Sequence, residues 1–174
     1  LSSLAVSSDS TAPRLLTGTG SDEKVLLIVV TSNRGLCGAF NGSVVREARR
    51  AIRQFESESK DVKLYCIGRK GRDLLRRDHA SKIVATDEEM GRKRLSFEDA
   101  AKLNAKLLAM FDKGDFDVCH IVYNRFKSVI AQVVTLKQLI PFAVNKEEGG
   151  SRTEPLVGLE FEPDEATILS SLLP

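Results

Sequence analysis

Six consecutive apolar residues, Val25-Leu26-Leu27-Ile28-Val29-Val30, constrain this chain more than anything else in it. A run of that length, with Glu23-Lys24 before it and Thr31-Ser32-Asn33 after it, suits a strand buried on both faces. Such strands sit in the middle of parallel sheets, where crossover helices cover both sides. The next residues agree with that placement. Past polar turn formers and two glycines, Val44, Val45, Ala48, Ala51, Ile52 and Phe55 recur at helical spacing, with Arg46, Glu47, Arg49, Arg50 and Arg53 opposite. The stretch therefore reads as strand, turn and amphipathic helix.

In an open α/β sheet this turn lies at the carboxyl end of a strand, where such folds bind ligands. A dinucleotide fingerprint wants G-x-G-x-x-G there, and a phosphate-cradling loop wants G-x-x-x-x-G-K-[ST]. Gly35, Gly38 and Gly42 are spaced G-x-x-G-x-x-x-G, and no lysine follows to reach a phosphate. These glycines suit a tight turn and close packing of helix on strand.

Further along, residues 62–68 predict a second strand, ended by Gly68, and residues 69–79 a short basic helix. That helix carries Arg69, Lys70, Arg72, Arg76 and Arg77 around Leu74 and Leu75. Such a face is either solvated or turned to an acidic partner or anionic headgroups. Residues 83–85 read as a brief strand and residues 87–94 as a charged loop. Ser96 followed by Asp99 predicts a capped helix start, with Phe97, Ala100, Leu103, Leu107, Leu108 and Phe111 on one side and Gly114 as the stop. Residues 118–123 predict a strongly apolar strand, 124–128 a turn, and 129–140 a β-rich run ended by Pro141. With no room for a crossover helix, that last run should pair antiparallel with its predecessor. Residues 145–154 read as a polar loop, 156–161 as a short strand and 163–173 as the start of a helix with Ile168, Leu169, Leu172 and Leu173.

The fold class that emerges is α/β: an open Rossmann-like sheet, mostly parallel with an antiparallel edge strand, and helices on both faces. Residues 1–24 form an exposed, flexible lead-in, 25–162 the globular domain, and 163–174 the start of a truncated helix. At 174 residues with 26 basic and 24 acidic side chains, a net charge of +2 argues against a dedicated nucleic-acid binder. No apolar run approaches the roughly 20 residues that span a bilayer. Cys37, Cys66 and Cys119 are widely spaced and read as packed, reduced thiols, and His79 and His120 form no cluster with them. His120 itself reads as a packed histidine rather than a base. No catalytic, cofactor-binding or metal-ligating set is predicted.

The residues also carry a resemblance. The stretch Thr31-Ser32-Asn33-Arg34-Gly35-Leu36-Cys37-Gly38-Ala39-Phe40-Asn41 resembles the S-[DN]-[RK]-G-L-C-G motif of the gamma subunit of F-type ATP synthases. Gly91-Arg92-Lys93 before Ser96-Phe97, the run Tyr123-Asn124-Arg125-Phe126-Lys127-Ser128-Val129-Ile130, and Glu162-Pro163-Asp164-Glu165 leading to Leu172-Leu173-Pro174 look like further gamma segments in order. Leu15 to Gly18 and Phe40-Asn41 look more like bacterial members.

The resemblance implies a non-catalytic rotor subunit of the central stalk, which couples proton flow to ATP synthesis. This chain would be its globular part, near the epsilon subunit and the ring of c subunits. The missing coiled-coil arms would reach the alpha/beta catalytic hexamer, and no a/d heptad run is present here. Its place would be peripheral, on the cytoplasmic face of a bacterial inner membrane or the matrix face in a mitochondrion. If two arms flank the domain, the chain should enter and leave it on the same side. The alternative is a stand-alone Rossmann- or flavodoxin-like nucleotide-binding domain of the same architecture.

Overall fold

A computed structural model describes residues 14–90, 96–128 and 131–142. The elements in order are α1 (Arg14–Thr17), β1 (Lys24–Val30), α2 (Phe40–Ser57), β2 (Asp61–Ile67), α3 (Arg69–His79), β3 (Ile83–Asp87), α4 (Phe97–Asp112), β4 (Val118–Ser128) and β5 (Ala131–Ile140). The strands stand in the order β3-β2-β1-β4-β5, which puts β1 at the centre. Its pairings with β2 and β4 are parallel, as is that of β2 with β3, whereas β4 and β5 are antiparallel. The three helical crossovers allow the parallel pairings, and the short link after β4 forces the antiparallel one.

Alternate residues of β1 point to opposite faces, and each face has its own cover. Val25, Leu27 and Val29 meet α2 through Val44, Val45, Ala48, Ile52 and Phe55, with Leu75 of α3 in the same cluster. Leu26 and Ile28 meet Leu107 and Phe111 of α4, Phe116 and Cys119. Helices therefore lie on both faces, and β1 shows no side to water. Each fully buried aliphatic side chain of this kind contributes about 1.5–3 kcal/mol. The predicted start of α4 is present: Ser96 Oγ accepts from the Asp99 amide at 3.4 Å while Asp99 Oδ2 accepts from the Ser96 amide at 3.0 Å.

Three expectations need correction. Residues 124–128 do not turn; β4 runs on to Ser128, with Asn124 opposite Val134 and Phe126 opposite Gln132, because Val133, Val134 and Thr135 of β5 and Phe126 sustain a two-stranded ribbon beyond the end of β1. The apolar side of α4 is buried only in its second half. Phe97 stays 88% exposed and Ala100 exposed, and Leu103 is the first residue of that side to pack against the core. Finally, residues 14–24 are not a loose lead-in. Leu15 packs against the α4-side core, its carbonyl accepts from the Phe142 amide at 2.9 Å, and Thr19 Oγ1 donates to Asp117 Oδ1 at 2.9 Å. The loop expected at 91–94, the strand at 156–161, the helix at 163–173 and the relative direction of the chain's exits lie outside the described residues.

His120 is a packed histidine, as its setting in β4 predicts. Its ring lies 4.9 Å from that of Phe55, and among the described residues its buried Nδ1 has no hydrogen-bond partner. Burial, and after it the positive charge of Lys60, hold its pKa below the usual 6.5. The neutral form is thus the folded form, and the unfolded chain binds the proton first as pH falls. Stability should be full above about pH 6.5 and decline below it. Urea denaturation from pH 7.5 to 5 should show that decline in the native chain and a flatter profile in His120→Leu; equal slopes in the two proteins would remove His120 as its cause.

Candidate functional site

The edge of the sheet at the carboxyl ends of β1, β2 and β3 brings together the turn 31–39, the start of α3 and the loop after β3. Thr31 is the first link. Its Oγ1 accepts from the Gly71 amide at 2.8 Å and donates to the Ile67 carbonyl at 3.1 Å. The Ser32 carbonyl accepts from the Lys70 amide at 3.1 Å, and Asn33 Oδ1 accepts from the Arg69 amide at 2.9 Å. The first three amides of α3 are therefore each satisfied by a residue from the turn after β1. Helix starts leave such amides free, and those free amides are what bind phosphates in related architectures. Here the anion position is filled from within.

Asn33 also reaches the third strand. Its Nδ2 donates to the Glu88 carbonyl at 2.8 Å and to the Met90 carbonyl at 3.4 Å. Asp87 shapes that loop, with Oδ1 accepting from the amides of Glu89 and Met90, each at 3.1 Å. On the other side Asn41, buried in the first turn of α2, accepts from the Ser32 amide at 2.9 Å and donates to the Arg34 carbonyl at 3.3 Å. The packing leaves no slack. A Cβ on Gly71 would stand 2.7 Å from Thr31 Oγ1, and one on Gly68, whose φ is +90°, would stand 2.1 Å from the Thr31 carbonyl oxygen. Both positions require glycine.

Within the predicted motif, Ser32 and Asn33 face inward and Arg34, Gly35, Leu36, Cys37 and Gly38 outward. Leu36 is fully exposed and has a φ of +59°, a conformation that costs a residue with a Cβ about 1–2 kcal/mol. Cys37 is exposed rather than packed, because the turn has left the sheet by this point. Its Sγ lies 2.9 Å from Asn41 Nδ2. Cys66 and Cys119 are buried, and burial pushes their thiols up to about 11 and about 12, which keeps them protonated.

The five basic residues of α3 are not one surface. Arg72 pairs with Asp73 at 2.9 Å and with Glu88, so it closes the cleft edge instead of facing a partner. Arg69, Arg76 and Arg77 are exposed, and Lys70 lies against Gly35, where an added Cβ would come within 3.5 Å of Lys70 Cε. The open cleft of about 840 Å³ at this edge is lined by Arg34, Phe40, Arg69, Glu88 and Met90. Among the described residues that line it there is one carboxylate, Glu88, and no second acid or histidine. Among the described residues no group of three His, Cys, Asp or Glu side chains can hold a metal ion. Sequence reasoning missed Thr31, Asn41, Gly68 and Gly71; the G-R-K-G spacing opening α3 was the available signal for the last two.

Comparison with known proteins decides the family. The sequence profile of the family described as ATP synthase matches residues 1–174. The chain belongs to the ATP synthase gamma family. The gamma chain of Sinorhizobium medicae is 45% identical over 172 residues, covering 98% of this chain and 57% of that relative. That of Parvibaculum lavamentivorans is 47% identical over 165 residues, covering 95% and 56%. The chain thus spans little more than half the length of these gamma relatives. In the solved central stalk and c-ring of the Tetrahymena thermophila mitochondrial ATP synthase, one chain matches with a TM-score of 0.64 at 22% identity, over 99% of this chain and 68% of that one. The rotor of the Euglena gracilis enzyme matches with a TM-score of 0.57 at 21% identity, over 99% and 59%. These two likenesses show a shared fold.

Two measurements follow for this gamma-family chain. The Gly71→Ala substitution should destabilise it by about 1–3 kcal/mol, and Thr31→Ala should remove most of that increment by vacating the space, so the pair couples in a double-mutant cycle. Simple additivity would mean the close approach is not limiting. In calorimetric titrations, ATP and NAD should show no saturable binding tighter than about 10 μM, roughly −7 kcal/mol, because the α3 amides are occupied.

Proposed function

We propose that this chain is the globular part of a non-catalytic rotor subunit in the central stalk of an F-type ATP synthase, coupling proton flow to ATP synthesis in the catalytic head. One observation carries the reading. Thr31, Ser32 and Asn33 take up the first three amides of α3 with protein atoms, which ties the turn after β1 to α3 as a rigid connector, although a cleft stays open beside them. Family membership, and the naming of Tetrahymena and Euglena neighbours as central stalk, c-ring and rotor, support the same role. Catalysis belongs to other subunits in this reading.

The partners proposed are the epsilon subunit and the c-ring, and the alpha/beta hexamer through coiled-coil arms beyond this domain. In this reading residues 14–142 belong to the stalk's globular domain. Leu36, held outward at positive φ with no described residue covering it, supplies one contact. Arg69, Lys70, Arg76 and Arg77 of α3 supply charged ones. The assembly holds the chain peripherally at the cytoplasmic face of a bacterial inner membrane, or the matrix face in a mitochondrion; among the described residues no helix is long and apolar enough to cross a membrane.

The reading is tested by a chimera. Residues 1–174 replace the matching segment of the Sinorhizobium medicae gamma chain, which is expressed with the rest of its complex. The chimera should assemble and support proton-driven ATP synthesis in inverted vesicles. A folded chimera that never enters the complex would overturn the assignment.

A further inference from the structure

α2 and α3 lie side by side on one face of the sheet, and two links fix their register. Arg49 of α2 donates to the Leu74 carbonyl at 3.0 Å and pairs with Asp78 at 2.7 Å, and Glu56 pairs with Lys82, just past α3, at 2.8 Å. On α2, Arg46 and Arg53 share the side of Arg49 at three- and four-residue spacing. On α3, Lys70 and Arg77 share the side of Leu74, by the same rule. These four cations flank the seam between the helices. Arg46, Arg53 and Arg77 are exposed and Lys70 is half-buried.

The charges around the seam are unbalanced. Every carboxylate carried by the two helices already has a cation: Glu47 with Arg50, Glu56 with Lys82, Asp73 with Arg72 and Asp78 with Arg49. Arg46, Arg53, Lys70 and Arg77 have no ion pair with a described residue. Each helix thus offers two uncompensated cations seven residues apart, a rise of about 10.5 Å.

We propose that the seam between α2 and α3 docks an acidic helical segment of a partner protein, its carboxylates meeting Arg46, Arg53, Lys70 and Arg77. A docked helix with acids at seven-residue spacing repeats the same rise and matches the seam in both length and sign. A lipid surface fits less well, because interfacial binding adds apolar anchors to basic charge. Among the described residues the large exposed apolar side chains are Leu36, Val84, Phe97, Phe126, Val133 and Phe142, and none belongs to α2 or α3. The inference goes beyond the stalk assignment, which names no residue of α2 as a contact.

The test uses the full chain and a labelled alanine-rich helical peptide carrying glutamates at seven-residue spacing, followed by anisotropy at low and moderate salt. A peptide of the same composition with shuffled spacing and vesicles of phosphatidylserine and phosphatidylcholine are the comparison ligands. Arg46→Glu with Arg53→Glu, and Lys70→Glu with Arg77→Glu, should each weaken the spaced peptide by about tenfold or more. Lys102→Glu with Lys113→Glu, an equal charge change on the α4 side, should leave it within about twofold, with circular dichroism confirming that all variants fold. Equal losses in the α4 control, equal binding of the shuffled peptide, or vesicle binding as tight as peptide binding would each overturn the proposal. Peptide binding can fail while the chimera still assembles, so the two readings stand or fall separately.

Discussion

Everything at the functional edge of this domain depends on how closely Thr31 approaches the start of α3. Two glycines permit the approach, since a Cβ at Gly68 or Gly71 would collide with Thr31 atoms. Once backbone and hydroxyl are that close, the amides of Arg69, Lys70 and Gly71 find their acceptors in Asn33, Ser32 and Thr31. A buried helix start must have such partners, because unsatisfied amides away from water cost about 1–3 kcal/mol each. The turn after β1 is thereby tied to β2 and β3 as one body.

That tie explains the two-sided character of the motif. Its inner residues, Ser32 and Asn33, are consumed in joining loops, and Asn41 seals the turn from α2. The outer ones, Arg34, Leu36 and Cys37, are left on the surface of a fixed platform. An exposed leucine at positive φ is covered by no described residue, so a rigid base beneath it suits contact with another chain. The same economy holds on the face of α2 and α3. Arg49 and Arg72 are spent on internal carboxylates, which leaves the cations of the seam uncompensated.

Much of the fold was legible in the residues. The six-residue apolar run could only be central, the helical spacing of Val44 to Phe55 could only cover it, and the short link after Tyr123 could only give an antiparallel edge. The Ser96–Asp99 cap was equally local. What misled was reading local pattern where tertiary reach decides. Phe97 continues the apolar side of α4, yet it stays exposed among the described residues. Asn124 to Ser128 carries turn-forming residues at its ends, yet pairing with β5 holds it as strand. The residues near Thr19 look like a linker, yet Asp117 lies within hydrogen-bond reach.

The sequence by itself determined the family and the architecture, because the R-G-L-C-G turn, the apolar run and the helical periodicities are all properties of contiguous residues. It also ruled out the phosphate-loop pattern by spacing alone. Only the tertiary structure decided that the first amides of α3 are taken, for the acceptors at residues 31–33 and the amides at 69–71 meet through the parallel pairing of β1 and β2. It likewise decided that Arg72 is spent and Arg77 is not, since the carboxylate of Glu88 comes from the loop after β3. Ion pairs and helix caps formed across strands have no signature in local spacing, and at this site they set which side chains remain free.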